Sequence, residues 1–178
     1  MEGKLQGRVA VVYGAGSVGE GWGNGKASAV AYARAGAKVA CIDMNEAAAQ
    51  ATAAIINGEG GDAIAVKANV TDLDQVRAAT DAVVKAFGRL DVLHNNVGIT
   101  AAGGPVEASE ESWDRVMSVN VKSMFFTCKR LSRNVWRGWM AGARCDSGRL
   151  SKPVWTASCG PRPPVGGIAA STCVTQAM

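Results

Sequence analysis

From Arg8 to about Lys129 the chain alternates short apolar runs with longer stretches of helical character, and no other feature constrains its fold as much. Parallel strands cannot be joined by a hairpin, so a crossover of a dozen or more residues, usually a helix, must carry the chain back. Repeated strand–helix units of this length predict an α/β fold, with right-handed crossovers placing helices on both faces of a doubly wound parallel sheet. At 178 residues the chain can bury one sizeable core and is short for two ordinary domains.

Arg8-Val9-Ala10-Val11-Val12-Tyr13 is apolar, rich in β-branched residues and followed directly by glycines, the pattern of a buried strand ending in a turn. Lys26 to Ala35 predicts a helix with Val30 and Ala33 on one side, and Gly36 stands where a closing glycine is expected. Lys38 to Asp43 reads as a second strand, Asn45 to Ile56 as a second helix and Ala63 to Val66 as a third strand. Thr71 with Asp74 resembles a capping pair, after which Val76, Ala79, Val83 and Phe87 repeat at helical spacing. Leu90 to Leu93 predicts a fourth strand, and Ser109 opens a helix carrying Trp113, Val116 and Met117.

The pattern stops near Arg130. Residues 1 to 120 hold 10 Lys or Arg against 14 Asp or Glu, whereas residues 121 to 178 hold 9 against the single Asp146. The net charge of +4 therefore comes from the tail. Trp136, Trp139 and Trp155 lie among these basic residues, but no nucleic-acid-binding motif accompanies them, and no nucleic-acid partner is expected. We divide the chain into a dinucleotide-binding region, 1–129, and an atypical basic tail rich in Trp, Cys and Arg, 130–178. The tail reads either as disordered or as a wrong-frame translation of a GC-rich gene, which would yield just these residue types. On either reading the sheet is incomplete at its C-terminal end.

Five cysteines without a C-x-x-C pair, with His94 the only histidine, offer no zinc ligand set, and no metal is expected. No run approaches the roughly 18 apolar residues of a membrane span, and Met1-Glu2-Gly3-Lys4 lacks the layout of a secretory signal. A cytoplasmic location away from membranes is the expectation.

Between the first strand and first helix lies Gly14-Ala15-Gly16-Ser17-Val18-Gly19-Glu20-Gly21-Trp22-Gly23-Asn24-Gly25. Glycines at a strand–helix junction bring backbone N–H groups close to a pyrophosphate, which the positive end of the following helix also attracts. Asp43 follows Gly25 by 18 residues at the end of the second strand, near the spacing of about 20 expected for the acid that holds the adenosine ribose. Counted from Gly14 the spacing is 29, so the loop contains an insertion. A carboxylate there repels a 2′-phosphate, favouring NAD over NADP.

With these residues in order, the stretch from about residue 5 to 129 resembles the short-chain dehydrogenase/reductase family, whose nucleotide-binding portion is Rossmann-like. That family's first turn reads T-G-x-x-x-G-x-G; here Tyr13 replaces the threonine and Gly23-Asn24-Gly25 supplies the closing pair. The resemblance places cofactor contact on Gly14, Ser17, Gly23, Asn24 and Gly25, with Asp43 at the ribose. Ala68-Asn69-Val70-Thr71-Asp72 is similar to the segment whose acid meets the adenine ring, bringing in Asn69 and Val70. Asn95-Asn96-Val97-Gly98 matches N-N-A-G at all but one residue, which adds Asn96, Val97 and Gly98 beside the cofactor.

Val116 to Lys122 resembles the helical segment that bears the family's catalytic asparagine, and Asn120 takes that place. The implied reaction interconverts an alcohol and a carbonyl by hydride transfer. Its remaining parts are a tyrosine, a lysine four residues later and a serine. The chain's tyrosines are Tyr13 and Tyr32, and Lys152 is preceded at that spacing by Gly148. Ser147 and Ser158 carry no supporting pattern. Two readings follow: an NAD-dependent oxidoreductase lineage acting on a small alcohol or carbonyl, with a homo-oligomer open, or an inactive dinucleotide-binding remnant.

Overall fold

A computed structural model describes residues 3–19, 21–130, 156–158 and 173–176. Four parallel strands form the sheet expected from the sequence: β1 (Val9–Tyr13), β2 (Lys38–Asp43), β3 (Ala63–Lys67) and β4 (Val92–Asn95). Their spatial order is β3-β2-β1-β4. The chain thus steps outward from β1 to β3 and then returns to the other side of β1. That reversal opens a crevice at the carboxyl ends of β1 and β4, the place where open α/β sheets bind ligands. Beside β4 run β5 (Thr156–Ser158) and β6 (Cys173–Gln176), β6 pairing antiparallel with both β4 and β5. Apart from these two strands, the tail expected over 130–178 falls outside the described residues beyond Arg130.

Period-two alternation divides the strands between two cores. Val9, Val11 and Tyr13 of β1 pack with Val76, Ala79 and Val83 of α3 (Leu73–Phe87), whereas Ala10 and Val12 pack with α1 (Asn24–Arg34) and α2 (Glu46–Gly58). Each such valine or isoleucine contributes about 1.5–3 kcal/mol by leaving water. β1 is buried along its whole length, which is why it reads as an unbroken apolar run.

Two local expectations are corrected. The third helix is capped by Asp72 and not by the Thr71/Asp74 pair: Asp72 Oδ1 accepts from the N–H groups of Asp74 (2.9 Å) and Gln75 (3.1 Å), and Gln75 Nε2 donates back to Asp72 Oδ2 (2.9 Å). The fourth strand lies two residues later than expected. Asp91 stays outside it, accepting from Val9 N–H (2.9 Å) and pairing with Arg8 and Arg89, while His94 and Asn95 enter it, His94 Nδ1 meeting Tyr32 and Asn95 Oδ1 meeting Thr127 within the fold. The helix α4 (Glu110–Met117) is capped by Ser109 as expected, and none of its residues is buried. Trp113, Met117, Val121 and Phe125, four residues apart, form an exposed row.

Candidate active site

The turn after β1 is held down by the end of β2, with Gly14 N–H and Ala15 N–H both donating to the Ile42 carbonyl at 2.7 and 3.1 Å. Gly14 sits at φ +77°, in the left-handed region that glycine adopts without strain. A Cβ on Gly25 would lie 1.8 Å from the Gly14 carbonyl oxygen, so only glycine lets the first turn of α1 come this near. Asn96 completes the cluster by donating from Nδ2 to the same carbonyl at 3.0 Å, and a Cβ on Gly14 would meet Val97 at 3.0 Å. Gly14, Gly25, Asn96 and Val97, proposed from two separate motifs, are therefore one contact group. Gly98 follows on the exposed side.

The insertion does not disturb this group. Gly23 N–H donates to Ser17 Oγ at 2.8 Å, closing the base of the excursion, while Val18 and Trp22 project outward and Lys26 Nζ lies 5.6 Å from the Trp22 ring centre. The two ends of the glycine motif meet as though the intervening residues were absent. Ser17, placed beside the cofactor by the family resemblance, accepts this bond and keeps its hydroxyl hydrogen to donate.

The start of α1 differs from the other helix starts in a way that matters for charge. Helices α2, α3 and α4 are capped by the side chains of Asn45, Asp72 and Ser109 and carry acids in their first turns. In α1 the cap is Gly23, which has no side chain to offer, and the first turn holds no acid. Its leading N–H groups, exposed Asn24 among them, remain available to an anion, where the helix dipole favours negative charge.

Across the turn, Asp43 Oδ2 accepts from Gly16 N–H at 2.9 Å, and Oδ1 accepts from Asn45 N–H at 2.9 Å. Each oxygen keeps a lone pair for a ribose hydroxyl. A Cβ on Gly16 would stand 2.8 Å from Asp43 Oδ2, so the glycine also makes room for the carboxylate. Asn69 and Val70 follow β3 next to this strand end, tied to it by the Ala68 N–H to Asp43 carbonyl bond of 3.0 Å. A carboxylate, uncapped helix amides and glycine-lined space thus suit the ADP part of a dinucleotide.

On the far wall, Asn120 lies in a single π-helical turn, Ser118–Lys122, that interrupts the helix. Its Oδ1 accepts from Ile99 N–H and its Nδ2 donates to the Ile99 carbonyl, both at 2.8 Å. Seven residues on, buried Thr127 donates to Asn95 Oδ1 at 2.8 Å. No periodicity or spacing points to Thr127, because a threonine inside a helix carries no motif of its own. The tyrosines lie elsewhere: Tyr13, buried, has its hydroxyl 3.4 Å from Thr80 Oγ1, and Tyr32 reaches His94 Nδ1 at 3.1 Å. Among the described residues no three His, Cys, Asp or Glu side chains are grouped to hold a metal. No helix among them is long and apolar enough to cross a membrane.

The model of the short chain dehydrogenase family matches residues 8–143. The chain belongs to the short-chain dehydrogenase/reductase family. It is 36% identical over 132 residues to D-threitol dehydrogenase of Mycolicibacterium smegmatis, a match covering 74% of this chain and 49% of that protein. It is 42% identical over 126 residues to an uncharacterized oxidoreductase of Thermotoga maritima, covering 70% and 47%. Among solved structures, hydroxysteroid dehydrogenase from Escherichia coli superposes with a TM-score of 0.66 at 30% identity, over 72% of this chain and 52% of that one. The chain spans about half the length of the curated relatives it matches. Short-chain dehydrogenases use nicotinamide cofactors and act on small molecules. The family match runs past Lys129, where the sequence resemblance was drawn to a close, to residue 143.

Proposed function

We propose that residues 1–129 are a dinucleotide-binding domain that grips NAD in preference to NADP, within a cytoplasmic enzyme interconverting a small alcohol and its carbonyl. The observation that carries this is the 2.9 Å bond from Gly16 N–H to Asp43 Oδ2, which unites the glycine turn and the ribose-binding acid. Gly14, Gly23, Asn24 and Gly25 would face the pyrophosphate with the α1 amides. Asp43 would hold the ribose and repel a 2′-phosphate, and Asn69 and Val70 would border the base. Asn96, Val97 and Gly98 would line the nicotinamide side.

The bound dinucleotide supplies the hydride chemistry. Asn120, the only catalytic residue we assign, would fix the loop at Ile99 against the crevice and present the π-turn backbone to it. The exposed row of Trp113, Met117, Val121 and Phe125 supports a homo-oligomer, and the buried free thiol of Cys41 suits a reducing compartment.

Calorimetric titration with NADH and NADPH tests the binding reading. We expect NADH to bind at least about tenfold more tightly, one charge-assisted contact being worth about that factor. Absence of heat with NADH overturns it.

A second reading, dinucleotide binding without turnover, is favoured by the two tyrosines, whose hydroxyls are engaged with Thr80 and His94. An assay of simple alcohols with NAD separates the two: turnover supports the enzyme, binding without turnover the remnant.

A further inference from the structure

Two asparagines of the chain are followed by glycine, Asn24 and Asn57, and the fold treats them in opposite ways. In an Asn-Gly peptide the glycine nitrogen, unshielded by a side chain, can attack the side-chain carbonyl of the asparagine before it. Asn57 is held against this. Its Nδ2 donates to the Ala63 carbonyl at 3.0 Å, its Oδ1 accepts from Ala63 N–H at 2.8 Å, and Gly58 closes α2 with its N–H inside the helical ladder.

Asn24 has none of these restraints. It is the first residue of α1, it is exposed, and its side chain makes no hydrogen bond among the described residues. The Gly25 N–H is one of the leading amides that the helix leaves without an acceptor, since its backbone bonding begins with Ala27 N–H donating to the Gly23 carbonyl at 2.9 Å. Turning Asn24 about its Cα–C bond toward that nitrogen breaks only this first rung and leaves Gly25 packed against Gly14. The same turn at Asn57 would break both bonds to Ala63 and the bond from Glu59 N–H to the Ile55 carbonyl (3.0 Å).

Charge widens the difference. The attacking nitrogen must shed its proton, and the negative charge so formed is favoured at the N-terminal end of α1 and opposed at the C-terminal end of α2, whose last turn holds no basic residue. Glycine is also imposed at position 25, because a Cβ there would lie 1.8 Å from the Gly14 carbonyl oxygen, so packing itself keeps the reactive pair in place.

We propose that Asn24–Gly25 is a site of spontaneous deamidation that turns the mouth of the dinucleotide site from neutral to anionic. The Gly25 nitrogen loses its proton to water and bonds to Asn24 Cγ, and the side-chain nitrogen leaves as ammonia, giving a cyclic imide. Water then opens the ring at either carbonyl, to aspartate or isoaspartate. The sum is asparagine plus water giving a carboxylic acid plus ammonia, with no change of oxidation state. The new carboxylate stands where the dinucleotide-binding reading above, on which this consequence rests, puts the pyrophosphate, and like charges repel there.

The test ages the full chain at pH 8 and follows both asparagines by peptide mass mapping, in the native state and in urea. Native Asn24 should convert at least about tenfold faster than native Asn57, and urea, which releases both, should remove most of that ratio. The aged chain, and Asn24→Asp made directly, should bind NADH at least about tenfold more weakly than the fresh chain by calorimetry, and saturating NADH should slow conversion at Asn24. Asn24→Ser should hold its own starting affinity through the same incubation. Native conversion of Asn57 as fast as Asn24, or a ratio unchanged by urea, overturns the proposal. NADH that binds fresh and converted chains alike overturns the anionic effect. Selective conversion at Asn24 in a chain that never binds NADH supports the modification site and overturns the dinucleotide-binding reading.

Discussion

Asn120 satisfies both backbone groups of Ile99, accepting from its N–H and donating to its carbonyl at 2.8 Å each. The amide thus substitutes for a strand neighbour, and it reaches Ile99 from within a π-turn that widens the helix at that residue. Replacing Asn120 by Ala leaves both groups of Ile99 without a protein partner. We expect a loss of about 1–3 kcal/mol, read as a lower urea midpoint with an unchanged slope. Asn120→Asp should fare no better, since a carboxylate cannot donate to the Ile99 carbonyl.

Asp43 gives the most direct test of cofactor choice. Asp43→Ala should weaken NADH binding about 10- to 100-fold and narrow the gap to NADPH, because the same carboxylate holds the ribose and repels a 2′-phosphate. Fluorescence titration of both cofactors reads the outcome. An unchanged NADH affinity would place the ribose elsewhere.

His94 makes the fold sensitive to acid. Burial lowers its pKa below the ordinary 6.5, Tyr32 engages Nδ1, and Nε2 has no partner among the described residues. Because the unfolded chain takes up this proton at higher pH than the folded one, the contribution is whole above pH 6.5 and declines as pH falls toward the folded-state value. The melting temperature should drop between pH 7.5 and 5.5. His94→Leu should flatten that drop, and an equally steep decline in the variant would assign it to other groups.

Cys41 lies in the middle of β2, and burial pushes its thiol up to about 12. At pH 8 it should resist iodoacetamide in the folded protein and react fully in urea, as peptide mass mapping can show. Labelling of Cys41 in the native state would mean that the central sheet opens readily.

The change of composition at Arg130 leads to a prediction about the gene. Read in another frame beyond that codon, the coding sequence should yield a serine followed by Y-x-x-x-K. DNA sequencing decides it, and the absence of such a motif from both alternative frames removes the wrong-frame explanation.

What was legible in the sequence follows from the range of the interactions concerned. Strands β1 and β2 were placed almost to the residue, because burial on both faces writes itself as an unbroken apolar run. The site residues Gly14, Gly25, Asp43, Asn96 and Asn120 could be nominated because each sits in a motif at a strand or helix end. Longer-range partners left no trace: nothing near Thr127 announces Asn95, and nothing near His94 announces Tyr32. The start of β4 was misjudged for the same reason, since Asp91 is held out of the strand by Val9, Arg8 and Arg89, two of which lie more than 80 residues away. Strand polarity at His94 and Asn95 makes sense only once those contacts exist.

The staple between Ser17 and Gly23 separates length from geometry. Whatever lies outboard of it can grow, shrink or change chemistry while the inner grip on a ligand keeps its shape. A rule that counts residues across such a loop will reject chains whose binding surface is intact, whereas a rule that asks only whether the two glycine ends can touch will keep them.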